Sequence, residues 1–206
     1  MSTRILVVYY SATGNTAALA AALAEGAAET GAEVRVRTVP ETAPPGAVAS
    51  NPRWQARVDA GPHHEYATLA DLAWADGVAA GSPTRFGGPA AQLKSFLDST
   101  GGLWAQGKLA DKVATSFTTA STAHGGLEST VLATNNIFYH WGAIVVPLGY
   151  GDPHLKESGN PYGGSFVSRG SAAPDELALG ALRRQGHRLA TITARLATGA
   201  DSAQQR

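Results

Sequence analysis

The chain has 206 residues, no cysteine, and 16 basic against 16 acidic side chains, for a formal net charge of +0. That length is enough for one α/β domain with a sizeable core, and the balanced charge, with no basic stripe, excludes the usual footprint of nucleic-acid or membrane-surface binding. Lack of cysteine excludes disulfides, thiolate nucleophiles and cysteine-ligated metals and fits the cytoplasm, no run approaches the ~20 apolar residues of a membrane span, and no signal-peptide pattern precedes the first strand.

Residues 4–10 are apolar without alternation around Ile5-Leu6-Val7-Val8, as expected of a strand covered on both faces of a parallel sheet. Residues 16–30 are Ala-rich, with Leu19 and Leu23 on one face, and predict a helix ending near Gly31. Between them lies Ser11-Ala12-Thr13-Gly14-Asn15-Thr16. A hydroxyl-rich loop between strand and helix can turn N–H groups onto an anion at the positive end of the helix dipole. An ordinary N-cap made by Thr13 or Asn15 is the other reading. Val34 to Val39 alternate, which suits an edge strand.

Five prolines (Pro40, Pro44, Pro45, Pro52, Pro62) break residues 40–66 into a surface excursion with a turn of helix around 54–58. A short helix with Leu69 and Leu72 precedes the third strand, 77–81. Pro89 opens a helix over 89–98 with Leu93, Phe96 and Leu97 inward. The fourth strand is 113–117, its exit loop 118–126, and the next helix 127–139. Strand five, 144–148, carries Pro147, which interrupts its ladder unless it lies at an edge. Residues 149–174 form a second insertion, with Phe166-Val167 pairing back onto the sheet. The last helix runs from Pro174-Asp175-Glu176 to about residue 197. One domain over 1–200 results, an α/β doubly wound parallel five-stranded sheet with helices on both faces and strand order 2-1-3-4-5. The exits of strands one, three and four (residues 11–16, 83–87 and 118–125) fall at the carboxyl ends, where such sheets bind ligands.

Two local patterns carry less. His63 and His64 are adjacent, and adjacent side chains rarely converge on one metal, so a solvated loop and no metal site are expected. Residues 102–109 match a nucleotide P-loop until Leu109 stands where Ser or Thr would hold magnesium, and they follow a helix rather than a strand.

Loop 11–16 resembles the flavin-mononucleotide phosphate loop of flavodoxins. Further blocks resemble the WrbA family of flavin-dependent NAD(P)H:quinone oxidoreductases: Pro40-Glu41-Thr42-Ala43-Pro44-Pro45, Gly81-Ser82-Pro83-Thr84-Arg85-Phe86-Gly87, Phe96-Leu97-Asp98-Ser99-Thr100-Gly101-Gly102-Leu103-Trp104, His124-Gly125-Gly126-Leu127-Glu128 and Pro161-Tyr162-Gly163. They fall in order along nearly the whole chain. The resemblance implies a flavodoxin-like fold, FMN, NADH or NADPH as hydride donor, a quinone acceptor, ping-pong turnover and a homotetramer.

By that resemblance FMN is held by Ser11, Ala12, Thr13, Gly14, Asn15 and Thr16, by Pro83, Thr84, Arg85, Phe86 and Gly87, and by Thr118, Thr119, Ala120, Ser121, His124 and Gly125. Arg85 is either a cation favouring the reduced ring or a surface arginine. His140 matches a family histidine at the flavin site, which gives it a catalytic role as hydrogen-bond or proton donor to the quinone. A helix-end histidine is the alternative. Trp104 walls the pocket where nicotinamide and quinone alternate, or packs structurally. Thr13 stands where the family usually carries an aromatic residue, and this puts the nicotinamide contact and the NADH-versus-NADPH preference in question. The rival readings are a flavodoxin-type electron carrier and a regulatory flavin-binding module. Carriers are typically acidic to dock basic partners, and the +0 charge argues against one.

Overall fold

The unbroken apolar run becomes β1 (Arg4–Tyr9), buried from Ile5 through Tyr9. The computed structural model describes residues 2–170 and 172–204, with side chains described to residue 197. Successive Cβ atoms of a strand point to opposite faces. Ile5, Val7 and Tyr9 therefore pack into one apolar layer, and Leu6, Val8 and Tyr10 into the other.

Helix α1 (Asn15–Ala28) leads to β2 (Glu33–Thr38), which pairs parallel with β1 from Arg4↔Glu33 to Tyr9↔Thr38 and forms the edge its alternation predicts. The proline-rich excursion is more ordered than its sequence suggests. It holds α2 (Pro45–Ala49) and α3 (Pro52–Asp59). Asn51 caps α3 by accepting from the N–H groups of Arg53 and Trp54, and Pro52 takes the first helical position, where no donor is lost. Helix α4 (Leu69–Trp74) opens on a capping box between Thr68 and Asp71.

Strand β3 (Gly77–Arg85) runs beyond the expected residue 81 because it turns back through β4 (Gly88–Pro89). Then come α5 (Ala91–Asp98), α6 (Gly101–Ala105) and β5 (Val113–Ala120). After α7 (Leu127–Trp141), β6 (Ile144–Val145) lies at the edge of the main path and ends before Pro147, short of the expected residue 148. The second insertion supplies α8 (Pro153–Ser158) and β7 (Ser165–Val167), and α9 (Glu176–Gln204) closes the fold. The main path is β2-β1-β3-β5-β6, which is the expected order once the two-residue β4 is set aside. Strand β7 pairs with β5 at Thr118, Thr119 and Ala120, so these residues belong to the sheet rather than to an exit loop. Among the described residues no helix is long and apolar enough to cross a membrane.

Two contacts fix the layers around the sheet's carboxyl edge. Gln185 of α9 donates to Thr115 Oγ1 (2.7 Å) and the Ser116 carbonyl (2.9 Å), while its Oε1 accepts from Gly164 N–H (2.7 Å). The Gly164 carbonyl in turn accepts from Thr118 N–H, which holds the β7 segment against β5. On the same face α1 and α9 cross backbone to backbone. A Cβ on Gly26 would stand 1.9 Å from the Arg183 carbonyl oxygen, and one on Gly186 would stand 1.9 Å from that of Leu23.

An ordinary Gly→Ala change inside a helix stabilises by about 1 kcal/mol. Gly26→Ala should invert that sign, because overpacking of about 1–3 kcal/mol or more outweighs the propensity gain. The melting temperature should fall by several degrees, at about 2–4 °C per kcal/mol for a chain of this size. Gly46→Ala in α2, with nothing within 4 Å of the added methyl, should leave the melt unchanged or raise it. Equal melts for the two variants would contradict the tight crossing.

Candidate functional site

The amino terminus of α1 meets the sheet between β1 and β3. Gly14 precedes the helix with φ 101°, a left-handed conformation that disfavours any side chain. The first turn of a helix has N–H groups with no intrahelical acceptor. Ser11 Oγ accepts two donors here, from Gly14 N–H (3.1 Å) and Ala17 N–H (3.2 Å). The N–H groups of Asn15 and Thr16 are left facing the loop, on residues only 7% and 2% exposed. The Thr16 and Thr119 hydroxyls lie 3.0 Å apart and tie this loop to β5. The Asn15 amide donates to the Ala172 carbonyl. Buried, uncommitted backbone donors at a positive helix end form an anion cradle. The N-cap reading fails, since neither Thr13 nor Asn15 caps α1 with its side chain.

The other two exits converge beside it. The β3–β4 turn carries Phe86 (φ 51°) and Gly87 (φ 81°), with Phe86 fully exposed. Arg85 is exposed and donates to the Thr84 carbonyl. Thr130 donates to the Thr84 hydroxyl (2.8 Å), pinning the turn to α7. A Cβ on Gly126 would come within 2.9 Å of Gly87 Cα, so the loop after β5 closes directly on the turn after β3. Thr118, Thr119 and Ala120 are buried in the sheet, and Ser121 and His124 are exposed beyond it. The structure thus gathers residues 11–16, 83–87 and 118–125 at one edge, joined by the Thr16–Thr119 contact and by the approach of Gly126 to Gly87.

It does not bring Trp104 or His140 to that edge in the same chain. The Trp104 indole N–H donates to the His140 carbonyl (2.9 Å), and both residues are exposed. They lie where α7 ends, beside the start of β5, where Asp111 N–H bonds the Gly142 carbonyl. Helix α7 is 15 residues long, which separates its two ends by about 20 Å at 1.5 Å per residue.

Two residues of the site were not singled out from sequence. Glu41 accepts from Tyr10 O–H (2.6 Å), Trp54 Nε1 (2.7 Å), Gln92 Nε2 (2.5 Å) and the N–H groups of Thr42 and Ala43. It joins the residue before Ser11 to α3 and α5. Burial pushes the Glu41 carboxyl up, but the hydrogen bonds from Tyr10, Ala43, Gln92 and Trp54 outweigh it and hold its pKa below the usual glutamate value. Burial, followed by the adjacent Glu41, drives the Tyr10 hydroxyl pKa far up, so it stays a donor. The second residue is Arg53, whose Nη2 donates to the Thr13 carbonyl (3.2 Å). An acid beside prolines and an arginine after Asn51-Pro52 were the available signals. His64 also departs from the solvated loop expected of it. Its Nδ1 lies 2.9 Å from the Tyr9 hydroxyl, and burial, then His63, Arg57 and Arg37, lower its pKa. Within residues 102–109, Gly102 belongs to α6 and Leu109 is buried.

A family model described as NADPH-dependent FMN reductase matches residues 3–151. A Deinococcus radiodurans protein named NAD(P)H dehydrogenase (quinone) is 39% identical over 194 residues, covering 94% of this chain and 96% of the relative. A Paracoccus denitrificans protein of the same name is 42% identical over 206 residues, covering 96% and 97%. Among solved structures, a WrbA-like flavodoxin protein from Agrobacterium tumefaciens superposes with TM-score 0.69 at 24% identity, over 94% of this chain and 99% of that one. A flavodoxin from Archaea gives TM-score 0.62 at 19% identity, over 93% and 99%. At those identities the structural likeness establishes the fold, and the fold is flavodoxin-like.

A carboxylate whose pKa is depressed on folding contributes stability that is complete above its unfolded pKa and disappears as pH falls through the folded one. Glu41 should therefore release Trp54 only as the pH falls below the ordinary glutamate range. Trp54 emission should shift in an acid titration of the wild type, followed in variants whose other tryptophans are Phe. Glu41→Gln, which also leaves a donor without an acceptor, should show the shifted emission at neutral pH. An emission that is flat with pH in the wild type would remove Glu41 as the tether of α3.

Proposed function

The chain belongs to the NADPH-dependent FMN reductase family, and on that premise we propose that it is an FMN-dependent NAD(P)H:quinone oxidoreductase. The observation that carries this reading is the anion cradle at α1, in a chain about 40% identical over nearly its whole length to proteins named for that activity. The residues present suit FMN. One phosphate takes the N–H groups of Thr13, Asn15 and Thr16, with the Thr13 and Thr16 hydroxyls as further partners. Nothing in the sequence supplies a second dinucleotide fingerprint. When bound, FMN supplies two-electron chemistry between a nicotinamide hydride donor and a quinone.

The remaining work falls to the chain. Backbone groups of residues 84–87 and 121, with His124 and Gly125, frame the ring edge, the backbone of Thr118 and Thr119 being committed to β3 and β7. Arg85 at the rim favours the negative charge of a reduced flavin. Trp104 offers a flat apolar wall to flat ligands. His140 donates a hydrogen bond or proton to the quinone oxygen. The separation of Trp104 and His140 from the cradle in one chain supports an assembly of several copies, which this reading takes to be a homotetramer. In this reading the pair serves the flavin of a neighbouring copy, and each site is shared between subunits.

Mass analysis of flavin released from the purified protein should give FMN; FAD would end this reading. Thr16→Val should weaken FMN binding by about 1–3 kcal/mol, the cost of a polar partner lost near a charged group. His140→Ala should lower quinone turnover by about 10²-fold or less, because quinones reduce readily. Stopped-flow absorbance should show the quinone half-reaction slowed more than the NAD(P)H half-reaction. Subunit exchange between Thr16→Val and His140→Ala should restore part of the activity, since mixed assemblies contain complete sites. No recovery on mixing would mean that His140 is a helix-end histidine.

A further inference from the structure

We propose that Arg53 is a binding residue for the phosphate of FMN, supplying from α3 the positive charge that the phosphate loop itself lacks. The inference rests on the FMN reading above and adds to it a residue outside the three loops. No residue from 11 to 16 is charged, so the cradle meets a dianionic phosphate with neutral donors and a helix dipole alone. A phosphate monoester carries about −1.5 to −2 charges at neutral pH. The Arg53 guanidinium already sits over the cradle, with Nη2 3.2 Å from the Thr13 carbonyl. A guanidinium presents its donors in a rigid fork suited to phosphate oxygens.

The placement is built by other residues and does not depend on Arg53 itself. Asn51 caps α3 at the N–H groups of Arg53 and Trp54. Trp54, the next residue, donates its indole N–H to Glu41, which also accepts from Tyr10, two residues before Ala12. Helix α3 is thereby tied to the strand that enters the phosphate loop, and Arg53 is carried to the loop from that tether. Arg53 is exposed, and an anion in the cradle would gain from it a charge-assisted partner.

A phosphate contact differs from a structural one in which flavin it favours. Riboflavin has the same ring and no phosphate. Full-length protein loaded with FMN or with riboflavin can be diluted and the released flavin followed by its fluorescence. Arg53→Gln, which keeps amide donors but removes the charge, should raise the FMN dissociation constant roughly tenfold and leave that for riboflavin unchanged. Arg53→Lys should fall between, keeping charge without the fork. Raising the salt concentration should weaken FMN binding more in the wild type than in Arg53→Gln, because the removed interaction is screened. Equal weakening of FMN and riboflavin would make Arg53 structural and overturn the proposal. So would unchanged FMN affinity, or a rise confined to the KM for NADPH, which would assign the arginine to the hydride donor. A wild type that carries no FMN defeats the functional reading as a whole; the Arg53 outcomes, read on an FMN-bearing wild type, bear on Arg53 alone.

Discussion

A helix that starts at the carboxyl end of a buried parallel strand must leave its first N–H groups without helical acceptors. Around α1 the fold controls which of those groups are satisfied internally. Ser11 takes two donors, from Gly14 and Ala17, and closes the loop on itself. Asn15 and Thr16 keep theirs on buried residues. A buried donor without a partner costs about 1–3 kcal/mol, so the cradle is a cost that a bound anion offsets. The contacts around it hold that arrangement in place: Thr119 on Thr16, Glu41 on Tyr10, and α9 packed so closely on α1 that both Gly26 and Gly186 must lack a Cβ.

Glu41 illustrates how a charged group can be half-buried at modest cost. Its carboxylate accepts five hydrogen bonds, and a carboxylate so supplied keeps its charge despite desolvation. The donors come from β1's exit, the carboxylate's own turn, α3 and α5. Neutralising it would free four segments together, one of them the entry to the loop of residues 11–16. The proline-rich excursion is in this sense an arm of the site rather than a decoration on it.

The central strands were legible because burial on both faces leaves a chemical trace: Ile5-Leu6-Val7-Val8 can only be interior. The edge position of β2 followed from the alternation in Val34 to Val39, whereas the fifth strand, expected over 144–148, is confined to Ile144–Val145. Residues 118–120 hid their strand character. Thr118, Thr119 and Ala120 read as a small-residue loop, and they become strand because β3 runs on to pair Ser82 and Pro83 with Thr118 and Thr119, and β7, some 45 positions later, pairs with all three. Such a long-range partner has no local signature. Helix α3 had one, Asn51-Pro52, but five prolines in the segment obscured it. The three converging loops were found from strand exits alone, whereas Glu41 and Arg53 act across the fold and had no motif to mark them.

The position of His140 follows from topology rather than chemistry. In a parallel α/β sheet every helix that follows a strand returns to the strand's amino edge. A residue at the last turn of α7 is then separated from the carboxyl-edge loops by the helix's full length, about 20 Å. No side-chain rotation spans that distance. Trp104 lies at the same amino edge, bonded to the His140 carbonyl, because α5 makes the same return after β3. One chain of this fold therefore cannot carry an amino-edge residue to its own carboxyl-edge ligand, and chemistry that needs both edges requires a second copy. The exposed Trp104 and Tyr139, at 57% and 58%, leave apolar surface beside His140 at that edge.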